Sequence, residues 1–222
     1  MRMRRKKNLD SRLSECNNLF EIITDELNFT KAVKEKEYLD FEKIFGNTNP
    51  IVLEVGCGKG QFACEYAKAH PEQNVIAVEK YGNVIVNACE KAQSMGLRNL
   101  FFIKGNAEYL PKYIPDSTAQ RIFLNFSCPF PKNKYAAHRL THKRFLDIYR
   151  QLLAPGGEIH QKTDNMHFFE FSIQEFSENG FALKNVSLDL HSSGMEDNIV
   201  TEYEERFSSM GMPIYRLEAY IK

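Results

Sequence analysis

Three glycines separated by single residues form the part of the sequence that is best suited to close contact with a ligand. Gly56, Gly58 and Gly60 lie in the segment 53–60, Leu-Glu-Val-Gly-Cys-Gly-Lys-Gly, between an apolar run and an amphipathic segment. Glycine lets the backbone bend sharply and approach a ligand, because no side chain lies between them. Glu54 precedes the first glycine by two positions and adds a carboxylate to the same turn.

A second acidic residue, Glu79, ends the next apolar run, where a carboxylate can bind both hydroxyls of a ribose. The Gly-x-Gly-x-Gly spacing differs from the Gly-x-Gly-x-x-Gly of dinucleotide-binding enzymes. A pyrophosphate binds best at a positive helix N-terminus, whereas a carboxylate beside the glycine turn favours a cationic ligand. We therefore expect S-adenosylmethionine rather than a nicotinamide cofactor. A turn without any ligand is the other alternative, although Glu54, Glu79 and Asn106 fall at three successive strand ends.

A basic window follows further along the chain, because no acidic residue lies between Asp116 and Asp147. The window contains Arg121, Lys132, Lys134, His138, Arg139, His142, Lys143 and Arg144. Together with the basic start of the chain it predicts a phosphate-binding face, with a solvated charge run as the alternative. His138 and His142 are four residues apart but have no evident third ligand, so we predict no metal site.

Alternating strands and helices must position these residues. The predicted strands are 50–55, 74–79, 100–103, 121–126 and 158–161, and the predicted helices are 61–70, 82–95, 107–113, 141–153 (with Thr141 as N-cap) and 166–179. A strand near 183–190, a helix near 199–209 and a strand at 213–221 follow, and the last two strands are expected to pair as an antiparallel edge. This order predicts an α/β fold with a mostly parallel sheet and helices on both faces.

The predicted organisation is an N-terminal extension on one structural domain. Residues 1–46 are expected to form a basic arm and a helical extension packed on the core, with helices at 12–28 and 34–45. Residues 47–222 are expected to form the α/β domain. Lys162, at the end of a predicted strand, is interpreted as a solvated charge.

Bulk composition excludes several classes of protein. The chain has 222 residues with 29 Lys and Arg and 29 Asp and Glu, so only the distribution of charge can indicate partners. No run reaches the ~18 apolar residues of a membrane span, and no apolar segment of a secretory signal follows the basic start. The cysteines are Cys16, Cys57, Cys64, Cys89 and Cys128. Their odd number and the lack of a Cys-x-x-Cys pair predict a cytoplasmic protein without disulfides or zinc.

Four motifs closely resemble the bacterial tRNA (guanine-N7-)-methyltransferase family, and the resemblance covers nearly the whole chain. The motifs are Ile-Val-Leu-Glu-Val-Gly-Cys-Gly-Lys-Gly-Gln-Phe (51–62), Asn-Phe-Ser-Cys-Pro-Phe-Pro-Lys (125–132), His-Gln-Lys-Thr-Asp-Asn (160–165) and Thr-Glu-Tyr-Glu-Glu-Arg-Phe (201–207). The Lys-Thr-Asp-Asn and Thr-Glu-Tyr-Glu motifs are the most specific, since the glycine turn is common to class I methyltransferases. The resemblance implies a Rossmann-like class I methyltransferase domain at 47–222.

The resemblance also implies the roles of particular residues. Cofactor contacts are implied at Glu54, Gly56, Gly58, Glu79, Asn106 and Cys128, and substrate contacts at Lys132, Asp164, Thr201, Glu202, Tyr203 and Glu204. Basic residues expected to contact the tRNA are Lys134, Arg139, Lys143 and Arg144. Cys128 and Phe130 stand where the family usually has Asp and Trp, and Asn106 stands where Asp is common. Cys128 and Asp164 are the candidate catalytic residues.

The chemistry of guanine N7 requires little from the protein beyond positioning, because N7 has a lone pair and no proton to remove. Asp164 or Glu204 could accept both N–H groups of the guanine Watson–Crick edge, and Lys132 could meet a phosphate or the guanine O6. Thr201 and Glu204 could instead form only a capping box. Two further alternatives are a catalytically impaired module that binds tRNA and S-adenosylmethionine, and a pyrimidine carbon-5 RNA methyltransferase with Cys128 as nucleophile. The oligomeric state, monomer or homodimer, is left open.

Overall fold

The computed structural model describes residues 5–23, 28–195 and 198–222. By its contacts the chain divides into a first unit, Met1–Pro115, and a second unit, Asp116–Lys222. Within the described residues, no helix is long and apolar enough to cross a membrane.

The first unit has a parallel sheet in the order β1-β4-β3-β2. Its strands are β1 Leu19–Glu21, β2 Ile51–Val55, β3 Asn74–Glu79 and β4 Leu100–Lys104. Its helices are α1 Leu9–Ser14, α2 Phe29–Ala32, α3 Phe41–Phe45, α4 Gln61–Ala69, α5 Gly82–Ser94 and α6 Leu110–Tyr113, with a 3-10 turn at Ala107–Tyr109. β2 and β3 are almost continuously buried, which is typical of parallel strands covered on both faces.

The second unit has the strand order β5-β6-β8-β7. Its strands are β5 Ala119–Asn125, β6 Leu153–Thr163, β7 Phe181–Ser187 and β8 Tyr215–Ile221. Its helices are α7 Lys143–Leu152, α8 Met166–Glu178 and α9 Glu202–Ser208, with a 3-10 segment at Asn133–His138. β5 and β6 are parallel, whereas β8 is antiparallel to β6 and to β7, so the predicted antiparallel edge is confirmed.

The predicted helix at 12–28 is wrong, because α1 ends at Ser14 and β1 follows it. β1 pairs with β4, and the N–H of Ile22 donates to the carbonyl of Lys104 at 2.9 Å. This pairing satisfies the open edge of β4, a long-range gain that periodicity within the segment cannot reveal. Residues 24–27 of the predicted helix lie outside the described residues.

Two further boundaries differ from the sequence prediction. Of the predicted helix at 34–45, the structure contains only α3. The Asp40 side chain caps this helix by accepting a hydrogen bond from the N–H of Lys43. Helix α7 begins after His142, whose ring accepts from the N–H of Arg144, so Thr141 is not the N-cap. Thr141 is buried and its hydroxyl lies 2.9 Å from that of Ser172. A buried hydroxyl needs a partner, and α8 supplies one here.

Lys6 and Arg12, near the start of the described residues, contact α5 in the first unit. The backbone N–H of Lys6 donates to Asn83 at 2.9 Å, and its ammonium donates to Asn87 at 2.5 Å. Arg12 forms a two-pronged ion pair with Glu90, at 2.6 and 2.7 Å. The division into a 1–46 extension and a 47–222 domain remains a prediction.

A cluster of charged and titratable side chains lies on β6 and β8 in the second unit. The Nε2 atom of His160 lies 3.0 Å from a carboxylate oxygen of Glu158 and 3.9 Å from one of Glu218. Such side chains could ligate a metal, but Lys184 and Arg216 form ion pairs with the two carboxylates. These cations are already partners of the two carboxylates.

We expect the free energy of unfolding to fall as the pH drops from about 6.5 towards 4. Burial is the main reason that the pKa of His160 is lowered to about 4, so the unfolded chain binds a proton here before the folded chain does. The loss between about pH 7 and about pH 5 is roughly 2 kcal/mol for this group. Burial alone would raise the pKa of Glu158, but hydrogen bonds from Lys184 and His160 lower it. Protonation of Glu158 therefore adds a further loss of stability at lower pH.

Urea denaturation at both pH values measures this effect, with His160→Gln as the comparison. The variant cannot titrate at this position. The fall in its free energy of unfolding between the two pH values is therefore expected to be smaller than that of the wild type by about 2 kcal/mol. Equal pH dependence in the two proteins would contradict the assignment to His160.

Candidate functional site

The glycine turn in the first unit directly follows β2 and leads into α4. Gly56, Gly58 and Gly60 have φ angles of 85°, 58° and 76°, in the left-handed region that favours glycine. A Cβ at Gly60 would lie 2.5 Å from the Cβ of Ala88, so this glycine is also required by the close approach of α5. A Cβ at Gly58 would meet no atom within 4 Å, so the backbone there faces open space.

Two carboxylates lie at this turn, as the sequence predicts. One oxygen of Glu79 accepts from the N–H of Gly58 at 3.2 Å, and the other accepts from the N–H of Tyr81 at 2.9 Å. Glu54 is only 2% exposed. Burial, followed by the charges of Glu54 and Glu79, raises the pKa of the Cys57 thiol in the turn. Both acids therefore act on the cysteine of the turn, whose raised pKa favours the protonated thiol.

The end of β4 adds an amide to the same edge. The N–H of Gly105 donates to the carbonyl of Glu79 at 3.0 Å, and Asn106 follows directly. The Asn106 amide donates to Glu108 at 2.6 Å, and Glu108 is buried. Sequence reasoning missed Glu108, because its position in the 3-10 turn after β4 carries no motif. The donor set of two carboxylates, an amide and an open glycine backbone fits a cationic nucleoside such as S-adenosylmethionine.

In the second unit, the segment after β5 contains Cys128, which is exposed. Arg139 holds this segment, because its guanidinium donates to the carbonyls of Pro129 at 2.9 Å and Phe130 at 3.0 Å. Arg139 is only 8% exposed and also lies 4.3 Å from the ring centre of Phe171. These contacts give Arg139 a structural role in the loop.

The other basic side chains that are predicted to contact the RNA are more accessible than Arg139. Lys132 and Lys134 are exposed around the 3-10 segment. Lys143 is exposed and pairs with Asp147 at 2.6 Å, one turn along α7. Arg144 is half-buried and donates to the carbonyl of Ala137 at 3.3 Å. Lys132, Lys134 and Lys143 are therefore the basic side chains best placed to meet a phosphate.

A buried ion pair fixes the start of α9. The ammonium of Lys162 donates to Glu204 at 2.6 Å, to the carbonyl of Ile199 at 2.8 Å and to Asn198 at 3.0 Å. The two side chains are 7% and 0% exposed, so the interpretation of Lys162 as a solvated charge is wrong. The sequence could not reveal this, because the partner lies 42 residues further along.

Thr201 and Glu204 form the capping box that the sequence left open as an alternative to a substrate role. The Thr201 hydroxyl accepts from the N–H of Glu204 at 3.0 Å, and Glu204 in return accepts from the N–H of Thr201 at 3.4 Å. The side chain of Glu202, another predicted substrate contact, lies outside the described part of the chain. Asp164, directly after β6, is half-buried and has no hydrogen-bond partner among residues 5–23, 28–195 and 198–222. Of the two predicted substrate carboxylates whose side chains are described, Glu204 is occupied by its partners, whereas the oxygens of Asp164 remain available.

Comparisons with known proteins show which family the chain resembles. Residues 48–217 match the model of a family described as "Putative methyltransferase". A tRNA (guanine-N(7)-)-methyltransferase of Geobacillus kaustophilus is 47% identical over 179 residues, which cover 81% of this chain and 82% of the relative. The protein of the same name from Listeria monocytogenes is 47% identical over 199 residues, covering 88% and 93% of the two chains. A third relative of that name, from Lysinibacillus sphaericus, is 49% identical over 181 residues, covering 81% and 84%.

Solved structures share the fold at much lower identity. The 16S rRNA methyltransferase KamB superimposes with a TM-score of 0.60 at 18% identity, covering 84% of this chain and 95% of that chain. A SAM-dependent methyltransferase from Aquifex aeolicus gives 0.56 at 17% identity, covering 89% and 100%. These similarities confirm the predicted Rossmann-like α/β fold.

Proposed function

This chain belongs to the bacterial tRNA (guanine-N7-)-methyltransferase family, and on that premise we propose that it transfers a methyl group from S-adenosylmethionine to N7 of a guanosine in tRNA. The observation that carries the proposal is 47% identity to relatives of that name over more than four fifths of both chains. We place the target guanosine in the variable loop of the tRNA and the enzyme in the cytoplasm.

The first unit supplies the cofactor residues in this proposal. Glu79 would bind the ribose hydroxyls, the backbone at Gly56 and Gly58 would allow close approach, and Glu54 would face the cationic end. Asn106 would hydrogen-bond the adenine edge. The bound cofactor supplies an electrophilic methyl on a sulfonium.

The second unit supplies the guanine residues. Asp164 would accept both N–H groups of the Watson–Crick edge and so select guanine, since its oxygens have no other partner among the described residues. Lys132 would meet a phosphate or the guanine O6. Thr201 and Glu204 would act mainly by fixing the start of α9, from which the exposed Tyr203 projects. Because N7 has no proton, positioning rather than proton transfer would supply the catalysis.

Cys128 is expected to be dispensable for methyl transfer. A serine at this position has nearly the same size, and neither a base nor a covalent nucleophile is needed at N7, so Cys128→Ser should keep kcat/KM within about 3-fold. Cys128→Asp restores the residue that the family usually has and should match or exceed the wild type. A carboxylate there could offset the positive charge that passes from sulfur to the purine.

Steady-state methylation of unmodified tRNA measures both variants. Far-ultraviolet circular dichroism and binding of S-adenosylhomocysteine serve as controls for folding and for the cofactor site. Complete loss of transfer in Cys128→Ser with both controls intact would support the covalent pyrimidine mechanism instead.

The basic face is expected to make tRNA binding dependent on salt. Removal of one lysine that binds a phosphate should reduce the slope of log affinity against log salt by about 0.7 in single-stranded parts of the RNA. Lys134→Glu combined with Lys143→Glu should therefore flatten the slope, while Lys68→Glu, an exposed charge on α4, serves as the matched control. Arg139 is unsuitable for this test, because its removal would also release the loop of Pro129 and Phe130. Equal slopes in all proteins would contradict the assignment.

A competition between RNA classes tests the proposed substrate, because KamB, which shares the fold, is a 16S rRNA methyltransferase. The enzyme is mixed with labelled S-adenosylmethionine, unmodified tRNA and 30S ribosomal subunits. We expect label in the tRNA alone, and mutation of the variable-loop guanosine to adenosine should remove it. Label confined to the ribosomal RNA would overturn the proposal.

A further inference from the structure

We propose that Phe126, Tyr203 and Phe207 form a stacking surface for a nucleobase of the tRNA; this inference rests on the proposed function. The three ring centres are 6.2, 6.5 and 6.4 Å apart, and the ring planes differ by only 19–21°. In a column, the two outer rings would be about twice as far apart as neighbouring rings. The nearly equal distances therefore exclude a single column, and the small angles between the ring planes show that the three clustered rings are roughly parallel.

The backbone fixes the Phe126 ring on the strand side of this surface. Phe126 follows the last residue of β5 and has a φ of 50°, in the left-handed region that non-glycine residues rarely adopt. Its N–H donates to the carbonyl of Lys162 on β6 at 2.8 Å, which holds it in that conformation. A strained residue at a strand end is typical of functional sites.

The helix side of the surface is equally fixed. Tyr203 and Phe207 are four residues apart on α9 and therefore lie on one face of that helix. The capping box of Thr201 and Glu204 sets the start of the helix, and the buried Lys162 anchors Glu204. The surface is thus preorganised before any RNA binds, which reduces the entropy cost of binding.

The surface is accessible and lies near the residues proposed to bind guanine. Tyr203 is 54% exposed, whereas Phe126 and Phe207 are half-buried and support it. Phe126 is two residues before Cys128, and Lys162, its backbone partner, is two residues before Asp164. The stacking surface therefore belongs to the same ends of β5 and β6 as these residues.

A nucleobase is the occupant that this chemistry favours. Bases taken out of an RNA stack are commonly held on aromatic side chains, and each such contact depends on the ring face rather than on a polar group. The exposed Lys132 and Lys134 follow Phe126 in the chain and supply the charge that a phosphate backbone requires. Continuity with the guanine residues points to the target guanosine or its immediate neighbour.

The test compares Tyr203→Ala and Tyr203→Phe with Tyr220→Ala, which removes another exposed tyrosine of the second unit, on β8. Tyr203→Ala should weaken tRNA binding and raise KM for tRNA by roughly 5- to 100-fold, and Tyr203→Phe should restore both within about 2-fold. Tyr220→Ala should match the wild type, and all proteins should bind S-adenosylhomocysteine equally.

A fluorescence measurement distinguishes stacking from a structural role of Tyr203. The target guanosine of the tRNA is replaced by 2-aminopurine, whose emission is quenched by an aromatic neighbour. The bound probe should be brighter with Tyr203→Ala than with the wild type or Tyr203→Phe.

Two outcomes would overturn the inference in different ways. A Tyr203→Ala variant with unchanged tRNA affinity, KM and probe emission, beside a wild type that methylates tRNA, would remove the stacking surface and leave the proposed function intact. A wild type that neither binds nor methylates tRNA would overturn the proposed function, and the stacking surface with it.

Discussion

Replacing Lys162 by methionine is expected to lower the free energy of unfolding by about 3–5 kcal/mol, because Glu204 would remain buried without the ammonium that now pairs with it. Glu204 is 0% exposed, and its remaining partners among the described residues are Asn198, His191 and the N–H of Thr201. Urea denaturation of both proteins at neutral pH measures the difference.

Two further variants serve as comparisons for Lys162→Met. Lys162→Met combined with Glu204→Leu removes both charges and should recover most of the loss, since a buried pair is often replaceable by apolar residues. Lys143→Met breaks an exposed pair with Asp147 and should cost less than about 1 kcal/mol. If Lys162→Met and Lys143→Met cost the same, the buried pair does not stabilise α9 as we describe.

Glu79→Ala is expected to weaken binding of S-adenosylhomocysteine by roughly 100-fold. The variant would lose two charge-assisted hydrogen bonds to the ribose, each worth about 1.5–3 kcal/mol, part of which water would replace. It would also release the N–H groups of Gly58 and Tyr81, which the carboxylate holds at 3.2 and 2.9 Å. Isothermal calorimetry gives the dissociation constant directly.

Glu79→Gln separates the contribution of the side chain's charge to binding from the contribution of its shape. It keeps one acceptor oxygen, so its loss should be intermediate, while Glu72→Ala, an exposed acid before β3, should bind like the wild type. Unchanged affinity in Glu79→Ala would remove the ribose assignment, and measurable binding of NAD would favour the nicotinamide alternative.

The sequence predicted the parts of the fold that depend on local pattern. β2 and β3 are apolar runs buried almost throughout, and the turn after β2 needs glycines at left-handed angles, so both are visible in the residue types. The order of strands and helices then brings Glu54 and Glu79 to one sheet edge without further information.

The errors concern interactions between distant parts of the chain. Residues 19–21 have helix-compatible spacing, but the open edge of β4, some 80 residues later, pairs with them as β1. Lys162 has the sequence context of a surface charge, yet it is buried and forms an ion pair with Glu204. Long-range pairing decided each of these positions, and local pattern cannot anticipate it.

Identification of the methylated nucleoside tests the central claim most directly. Purified enzyme is incubated with methyl-labelled S-adenosylmethionine and unmodified tRNA, and a parallel sample carries 7-deazaguanosine, which has no nitrogen at that position, in the variable loop. After digestion, we expect to find all label in 7-methylguanosine and none in the deaza substrate. Label in another nucleoside, such as 5-methylcytidine, or equal labelling of the deaza substrate would contradict methyl transfer to guanine N7.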